Sequence, residues 1–265
     1  MLPANPRLSK LRLTAAAISA VLLLANHIPQ AAAREGITAS ITPAYYTGKY
    51  NTNSNTDVLY VPLAFKYETG NVYLKVTVPY IRVHSQQGVI IVGGIVVGTG
   101  GVPTTQSGLG DIWLEGRYRI KLDNKGNSVS PYVKIKLGTA SQAKGLGTGA
   151  NDIEFGGWFR TRIGKRFFPF AQLGYRIHGQ TTGIVLNDYM TYMAGSSYIV
   201  NADNIATLLW AGHQSAQPGL QAASTIIGAW NVRVRRDSDL QVFGLFGLSN
   251  GSPDYGGGLS YMYHF

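Results

Sequence analysis

The chain closes on "YGGGLSYMYHF", Tyr255–Phe265. Taking every second residue collects Tyr255, Gly257, Leu259, Tyr261, Tyr263 and Phe265; the residues between are Gly256, Gly258, Ser260, Met262 and His264. A period of two is the mark of a β-strand with two different faces. The rich face carries four aromatics, and its last member is the final residue. Chain ends are ordinarily polar and frayed. An apolar stripe running to the last residue predicts a strand whose outer face meets something other than water.

Working outward, the same alternation recurs. Ile37-Ala39-Ile41-Pro43-Tyr45, Val61-Leu63-Phe65-Tyr67 and Val72-Leu74-Val76-Val78-Tyr80 each alternate with polar or small residues. Ile112 to Leu122, Val129 to Leu137, Ile153 to Ile163 and Phe167 to Ile177 do so with charged partners. Segments at roughly 188–200, 205–213, 222–235 and 239–248 complete the set with the closing one. The register is clear in 222–235 and 255–265, and ambiguous in the other three. That makes twelve expected strands of about 9–14 residues, longer than the usual soluble strand and enough to cross a bilayer when tilted.

The connections alternate in kind. Residues 69–71, 123–128, 164–166, 201–204 and 236–239 read as short polar turns, and 47–57, 85–110, 141–151, 179–187, 213–221 and 249–254 as mostly longer loops rich in Gly, Ser, Thr or Asn. This is the layout of an antiparallel transmembrane β-barrel of the outer-membrane type. A soluble β-sandwich also alternates, but it turns its polar face to water and needs many charges there. Here only 14% of residues are charged, against about 25% in an ordinary soluble domain. Tyr45, Tyr67, Tyr80, Tyr118, Phe167, Tyr175, Trp230, Tyr261 and Phe265 fall near the ends of outward stripes, where aromatic girdles sit.

The N-terminus predicts the route. Arg7, Lys10 and Arg12 precede an uncharged apolar run of 13 residues, Leu13–Ala25, and Ala31-Ala32-Ala33 offers a cleavage site. Residues 1–33 are therefore expected to be a secretory signal peptide, and 34–265 the barrel. Removing 1–33 takes away three basic and no acidic residues, so the net charge falls from +10 to +7. The expected location is the outer membrane of a Gram-negative bacterium. No basic block or recognition motif accompanies the charge, so nucleic acid is not an expected partner. Cysteine is absent, which excludes disulfide and thiolate chemistry.

At "SGLGDIWLEGRYRI" (Ser107–Ile120) the chain resembles the outer-membrane barrel "transporter" family known as the putative meta-pathway of phenol degradation family. Gly108-Leu109-Gly110-Asp111 matches its strand-opening motif, and Tyr118-Arg119 its strand-closing pair. Leu146-Gly147-Thr148-Gly149 matches a later loop, and "FAQLGYRIHG" (Phe170–Gly179) also fits. The expected Pro-Thr-Gly turn is only half present, as Gly138-Thr139 without proline. The resemblance spans roughly 36–265. It implies an outer-membrane protein that moves hydrophobic or aromatic compounds, and it brings no catalytic residue. A final Phe behind alternating hydrophobics also resembles the signal read by the outer-membrane barrel assembly machinery. On that view Tyr261, Tyr263 and Phe265 pair with the first strand near Ile37 and seal the sheet.

The parity that sends apolar stripes to lipid sends Lys66, Lys75, Arg117, Arg119, Lys121, Lys134, Lys136, Arg160, Arg162, Arg176, Arg233 and Arg235 to the lumen, with Asp111, Glu115, Asp152 and Glu154. A ring of bases favours anions. Alternatively the same residues pair and fill the barrel, since eight strands leave a filled interior and sixteen an open one. The loop "GVIIVGGIVVGTGG" (Gly88–Gly101) reads as a tight apolar hairpin turning at Gly93-Gly94. It either plugs the mouth, packs on neighbouring loops, or receives an apolar substrate. Enzyme chemistry is not expected: His213 and Ser215 share a strand face, but no orienting partner follows. His84, His178 and His264 lack metal-ligand spacing, and no cofactor is implied. The leading expectation is a channel for a small organic solute, in contact with outer-membrane lipids. The alternatives are a non-conducting structural or adhesion barrel and a lipid-acting barrel enzyme.

Overall fold

The computed structural model describes residues 14–17, 35–86, 88–92, 95–98, 102–181 and 185–265. Twelve antiparallel strands form one closed barrel. β1 comprises Gly36–Ile41 and Ala44–Gly48, β2 is Thr56–Thr69 and β3 is Val72–Ser85. β4 comprises Thr104–Leu109 and Ile112–Tyr118; β5 is Ser128–Leu137, β6 Asp152–Arg160 and β7 Phe167–Ile177. β8 is Tyr189–Ile199, β9 Asn204–His213, β10 Ala223–Arg235, β11 Ser238–Gly247 and β12 Tyr255–His264. Each pairs with the next, and β12 returns to both halves of β1.

Closure falls where the terminal stripe places it. Tyr261 stands opposite Ile41, Met262 opposite Ser40, Tyr263 opposite Ala39 and His264 opposite Thr38. The Phe265 N–H then donates to the Ile37 carbonyl at 2.9 Å. Inside the seam, His264 lies 3.0 Å from the Thr38 hydroxyl and 2.9 Å from Asp239. Pro43 interrupts β1 because it has no N–H to give, yet its carbonyl still accepts from Leu259. A closed sheet leaves no unpaired edge, which is what a backbone in lipid requires.

The two faces separate as the alternation predicts. Ile37, Leu63, Phe65, Leu74, Phe155, Leu173, Leu208, Val242 and Leu259 are exposed on the outside, while the residues between them are turned inward. So large a continuous apolar exterior has no place on a water-soluble surface. Aromatics mark its margins: Tyr67, Tyr118, Phe167, Tyr261 and Phe265 on the short-turn side, Tyr45 and Tyr255 on the long-loop side. Outside the barrel Tyr192 stacks on Trp210 with centroids 4.9 Å apart, and Tyr263 meets Phe265 edge-on. Among the described residues no helix is long and apolar enough to cross a membrane.

Three features depart from the sequence reading. β3 and the first half of β4 run on beyond the expected strand ends, into residues assigned to the 85–110 loop, and pair there from Tyr80–Leu109 to Ser85–Thr104. In this extension the pattern inverts: Arg82 and His84 point outward, Ile81 and Val83 inward. That is how a hairpin in water is written. β6 ends at Arg160 rather than Ile163. The ambiguous registers resolve with Tyr189 to Ser197, Ile205 to His213 and Asp239 to Leu245 in odd-numbered positions facing inward. The expected signal peptide lies outside the described residues, apart from Thr14–Ala17, a short strand alongside Ile95–Gly98.

Candidate functional site

The lumen has two unlike walls. Within the membrane-spanning region charged side chains line β2 to β7. β8 to β12 and β1 present mainly small, polar-neutral or apolar groups, among them Met193, Leu209, Ala211, Ile227, Phe243, Leu245, Ala44 and Tyr46. One cross-strand row carries much of the charge. Thr38 stands opposite Lys66, Lys66 opposite Lys75, Lys75 opposite Glu115 and Glu115 opposite Lys134. Lys134 then stands opposite Glu154, Glu154 opposite Arg176 and Arg176 opposite Tyr189. Because barrel strands tilt and their register is staggered, a row drawn across them climbs. This one starts three residues before the β2–β3 turn and ends at the first residue of β8, on the long-loop side.

Most members of the row are paired. Glu154 accepts from Arg176 Nε at 2.8 Å and Nη2 at 2.6 Å on Oε2, and from Tyr132 at 2.9 Å and Lys134 at 3.3 Å on Oε1. Arg176 also donates to the Tyr189 hydroxyl at 3.0 Å and faces the Trp113 ring. Above the row Lys136 sits 2.9 Å from Asp152 and 3.5 Å from Asp111, and donates to Thr148. Below it Arg117 reaches Glu115 at 3.3 Å and lies 3.9 Å over the Tyr73 ring. Lys66 holds Glu68 at 2.7 Å, with Arg119 at 3.7 Å from the same carboxylate. Pairing of this kind offsets the desolvation penalty that a buried ion carries.

Not every expected lumen residue belongs here. Arg162 lies past the end of β6, exposed, with Nε donating to the Gly164 carbonyl. Arg233 and Arg235 are exposed at the short-turn rim beside an irregularity in β10. Lys121 is exposed in a two-residue extension of β4. The inward parity was drawn through strand ends, and beyond the last ladder bond parity no longer sets direction. Arg160 remains at the margin of the lumen, facing Arg117 and Arg119.

Two glycines shape the charged wall. The Tyr132 side chain extends past Gly156 and Gly174, which follow it in the same cross-strand row, and its hydroxyl accepts from Gln172 at 2.7 Å. A Cβ at Gly174 would collide with the Tyr132 hydroxyl and meet Thr191 Oγ1 at 2.7 Å. In the sequence these glycines read only as small strand residues, because what fills the space comes from two strands away.

The apolar hairpin crosses the mouth. Its arms Val89–Val92 and Ile95–Gly98 pair with Val92 opposite Ile95, while the expected turn at Gly93-Gly94 lies outside the described residues. Ile91 and Val96 pack into the cluster that also holds Val83, Ala140 and Leu146. The Ile91 N–H donates to the Gly145 carbonyl at 2.7 Å. Ile90 packs instead in a cluster with Tyr189 and Ala216. β3 and β8 are five strands apart in a ring of twelve, so a hairpin leaving β3 and reaching Tyr189 spans nearly the full opening. It thus packs both on neighbouring loops and on side chains that line the upper lumen. Beneath it the hydroxyls of Tyr46, Tyr50 and Tyr60 are buried without hydrogen-bond partners among the described residues.

The histidines are spent on structure. His213 Nδ1 lies 2.6 Å from the Gln214 carbonyl and its ring stacks on Tyr189, while Ser215 donates to the Gln217 carbonyl. The two do not bond each other. Among the described residues no cluster of His, Asp or Glu has the arrangement of a metal site.

Fold and lumen together define a closed transmembrane β-barrel with a two-faced interior. No family model matches the chain, and no curated protein matches it. Its fold is similar to that of an outer-membrane channel from Pseudomonas putida F1, at TM-score 0.74 and 13% identity over 88% of this chain and 97% of that one. It is also similar to the translocator domain of autotransporter NalP from Neisseria meningitidis, at TM-score 0.55 and 10% identity over 94% and 93%. A third similar structure is the NanC porin, at TM-score 0.54 and 9% identity over 86% and 99%.

Proposed function

We propose that the protein is an outer-membrane channel for small organic compounds, aromatic ones among them. The observation that carries this reading is the two-faced lumen. A wall of small, polar-neutral and apolar groups on β8 to β12 faces a charged wall of β2 to β7 inside a single closed barrel. Such a passage suits solutes that are part apolar and part polar, because each half finds a wall of its own kind. A barrel that only had to be stable would gain more from a uniformly apolar or fully paired filling. The motifs between Ser107 and Gly179 support the aromatic part of the reading, and the channel of similar fold supports the general class. The hairpin at 88–98 then acts as the door, and the short-turn side is periplasmic.

A second reading is a non-conducting structural barrel, favoured by the tight packing of Tyr46, Val58, Ile91 and Val96 beneath the mouth. Planar-bilayer recording separates the two. The channel reading expects discrete conductance from the intact barrel, and a larger unitary conductance when residues 88–101 are replaced by a short Gly-Ser linker. Silence from both proteins, each shown to be folded by its heat-modifiable gel mobility, would sink it.

A further inference from the structure

Within the charged row one cation makes no hydrogen bond or ion pair among the described residues. Lys66 and Lys75 stand directly opposite each other on β2 and β3. Like charges in that position destabilise a sheet. Lys66 escapes by turning to Glu68. Lys134 and Arg176 share Glu154, Lys136 has Asp152 and Asp111, and Arg117 has Glu115. Lys75 is only 6% exposed, yet it makes no hydrogen bond or ion pair among the described residues. Its nearest acid by register, Glu115 on β4, is engaged by Arg117. The other charged groups around Lys75 are Lys66, Lys134 and Arg117, all cations.

A buried ammonium opposite another ammonium is a local violation of the rules that hold elsewhere in this wall. Such violations persist where function uses them. We propose that Lys75 anchors an anion-binding site in the short-turn half of the lumen, and that the site takes the carboxylate of a small amphipathic organic acid. This deepens the channel reading and rests on it.

Two further observations support the site. The first is what stands across from it. β9 is six strands from β3 in the ring of twelve and so lies diametrically opposite. At a similar distance from the short turns it presents Ile205, Thr207 and Leu209 inward. A carboxylate held by Lys75 would leave its apolar body facing that wall. The second is the approach. Arg160, which also has no ion pair among the described residues, sits with Arg117 and Arg119 between Lys75 and the short-turn rim. Cations lining a narrow passage between low-dielectric walls raise the local concentration of anions.

The test is calorimetric titration of the purified, folded barrel in detergent, with benzoate as the charged probe and benzyl alcohol as its neutral counterpart. Wild type is expected to bind benzoate more tightly than benzyl alcohol. Lys75→Gln should weaken benzoate binding by about tenfold, the loss of one charge-assisted contact, and leave benzyl alcohol unchanged. Lys75→Arg should restore the preference, and Lys49→Gln in an exposed loop should leave it intact. Should Lys75→Gln fail to fold, Lys75→Met and Lys75→Arg carry the comparison, with folding read from heat-modifiable mobility. Equal benzoate affinity in wild type and in a folded variant lacking the charge overturns the site, as does equal affinity of wild type for the two probes. Conductance is measured separately. A barrel that binds benzoate through Lys75 but never conducts keeps the site and loses the channel reading, and one that conducts without this binding does the reverse.

Discussion

The Arg176 guanidinium closes on Glu154 Oε2 through both Nε and Nη2, while the other carboxylate oxygen accepts from Tyr132 and Lys134. Glu154 is 1% exposed in its side chain. Two buried cations and a phenol thus share this one carboxylate. Glu154→Gln keeps the size and removes the charge, which takes from Lys134 and Arg176 the carboxylate they bond directly. Breaking a buried pair from one side costs about 3 kcal/mol or more. Urea unfolding of the folded barrel in detergent should show that loss, and a midpoint equal to wild type would remove Glu154 from the centre of the charged wall.

Gly174 offers a steric test of the same wall. A methyl group there would collide with the Tyr132 hydroxyl and crowd Thr191, and overpacking of this kind costs about 1–3 kcal/mol. Gly174→Ala is expected to destabilise the barrel, and Tyr132→Phe in the same molecule should recover part of the loss by removing the colliding oxygen. The double variant being no more stable than Gly174→Ala alone would show that Tyr132 does not lie over that glycine.

Phe265 is 74% exposed, and its backbone N–H makes the last ladder bond to Ile37. Its ring contributes little to the interior but completes the lipid-facing stripe of Tyr261 and Tyr263. Deleting Phe265 should lower the yield of heat-modifiable barrel in the outer membrane, while molecules that do assemble conduct like wild type. Normal yield with altered conductance would reverse that assignment.

The β4–β5 turn carries a pH prediction. The Asp123 carboxylate accepts backbone N–H bonds from Asn127 at 3.0 Å and Lys125 at 2.9 Å, and from the Asn127 side chain. These bonds, that of Asn127 first, hold its pKa below the usual Asp value. The carboxylate favours the folded turn at every pH above the unfolded-state value, and that contribution disappears as pH falls through the lower folded-state value. Titration of the Asp123 carboxyl by NMR should find a midpoint below that of an unstructured Asp. Asp123→Asn should abolish the dependence, and a midpoint at or above the ordinary value would contradict the turn geometry.

Much of the architecture was legible because the physics that sets it is local. An alternation such as Val72-Leu74-Val76-Val78-Tyr80 needs only its own residues to define two faces, and lipid outside makes the apolar face the outer one. The strand count, the alternation of turns and loops, and the pairing of the terminal stripe near Ile37 all follow from that. Where local composition was flat, as around Tyr189–Ile199 and Ser238–Gly247, the register stayed open until neighbouring strands chose it. The inversion at Ile81 and Val83 was unreadable for another reason: its inner face is defined by a hairpin that folds back over it.

Sequence alone determined that the chain alternates with period two, ends many of its strands in aromatics and carries part of its basic residues on the face away from lipid. Those properties belong to single strands, and hydrophobic burial is enough to express them. Tertiary structure decided which of those bases are neutralised. Pairing across strands depends on register, and register in a closed barrel depends on the stagger of the whole ring. Only that ring brings Glu154 between Lys134 and Arg176, carries Ile90 from the β3 side of the mouth to Tyr189, and sets Lys75 between Lys66 and a Glu115 already held by Arg117.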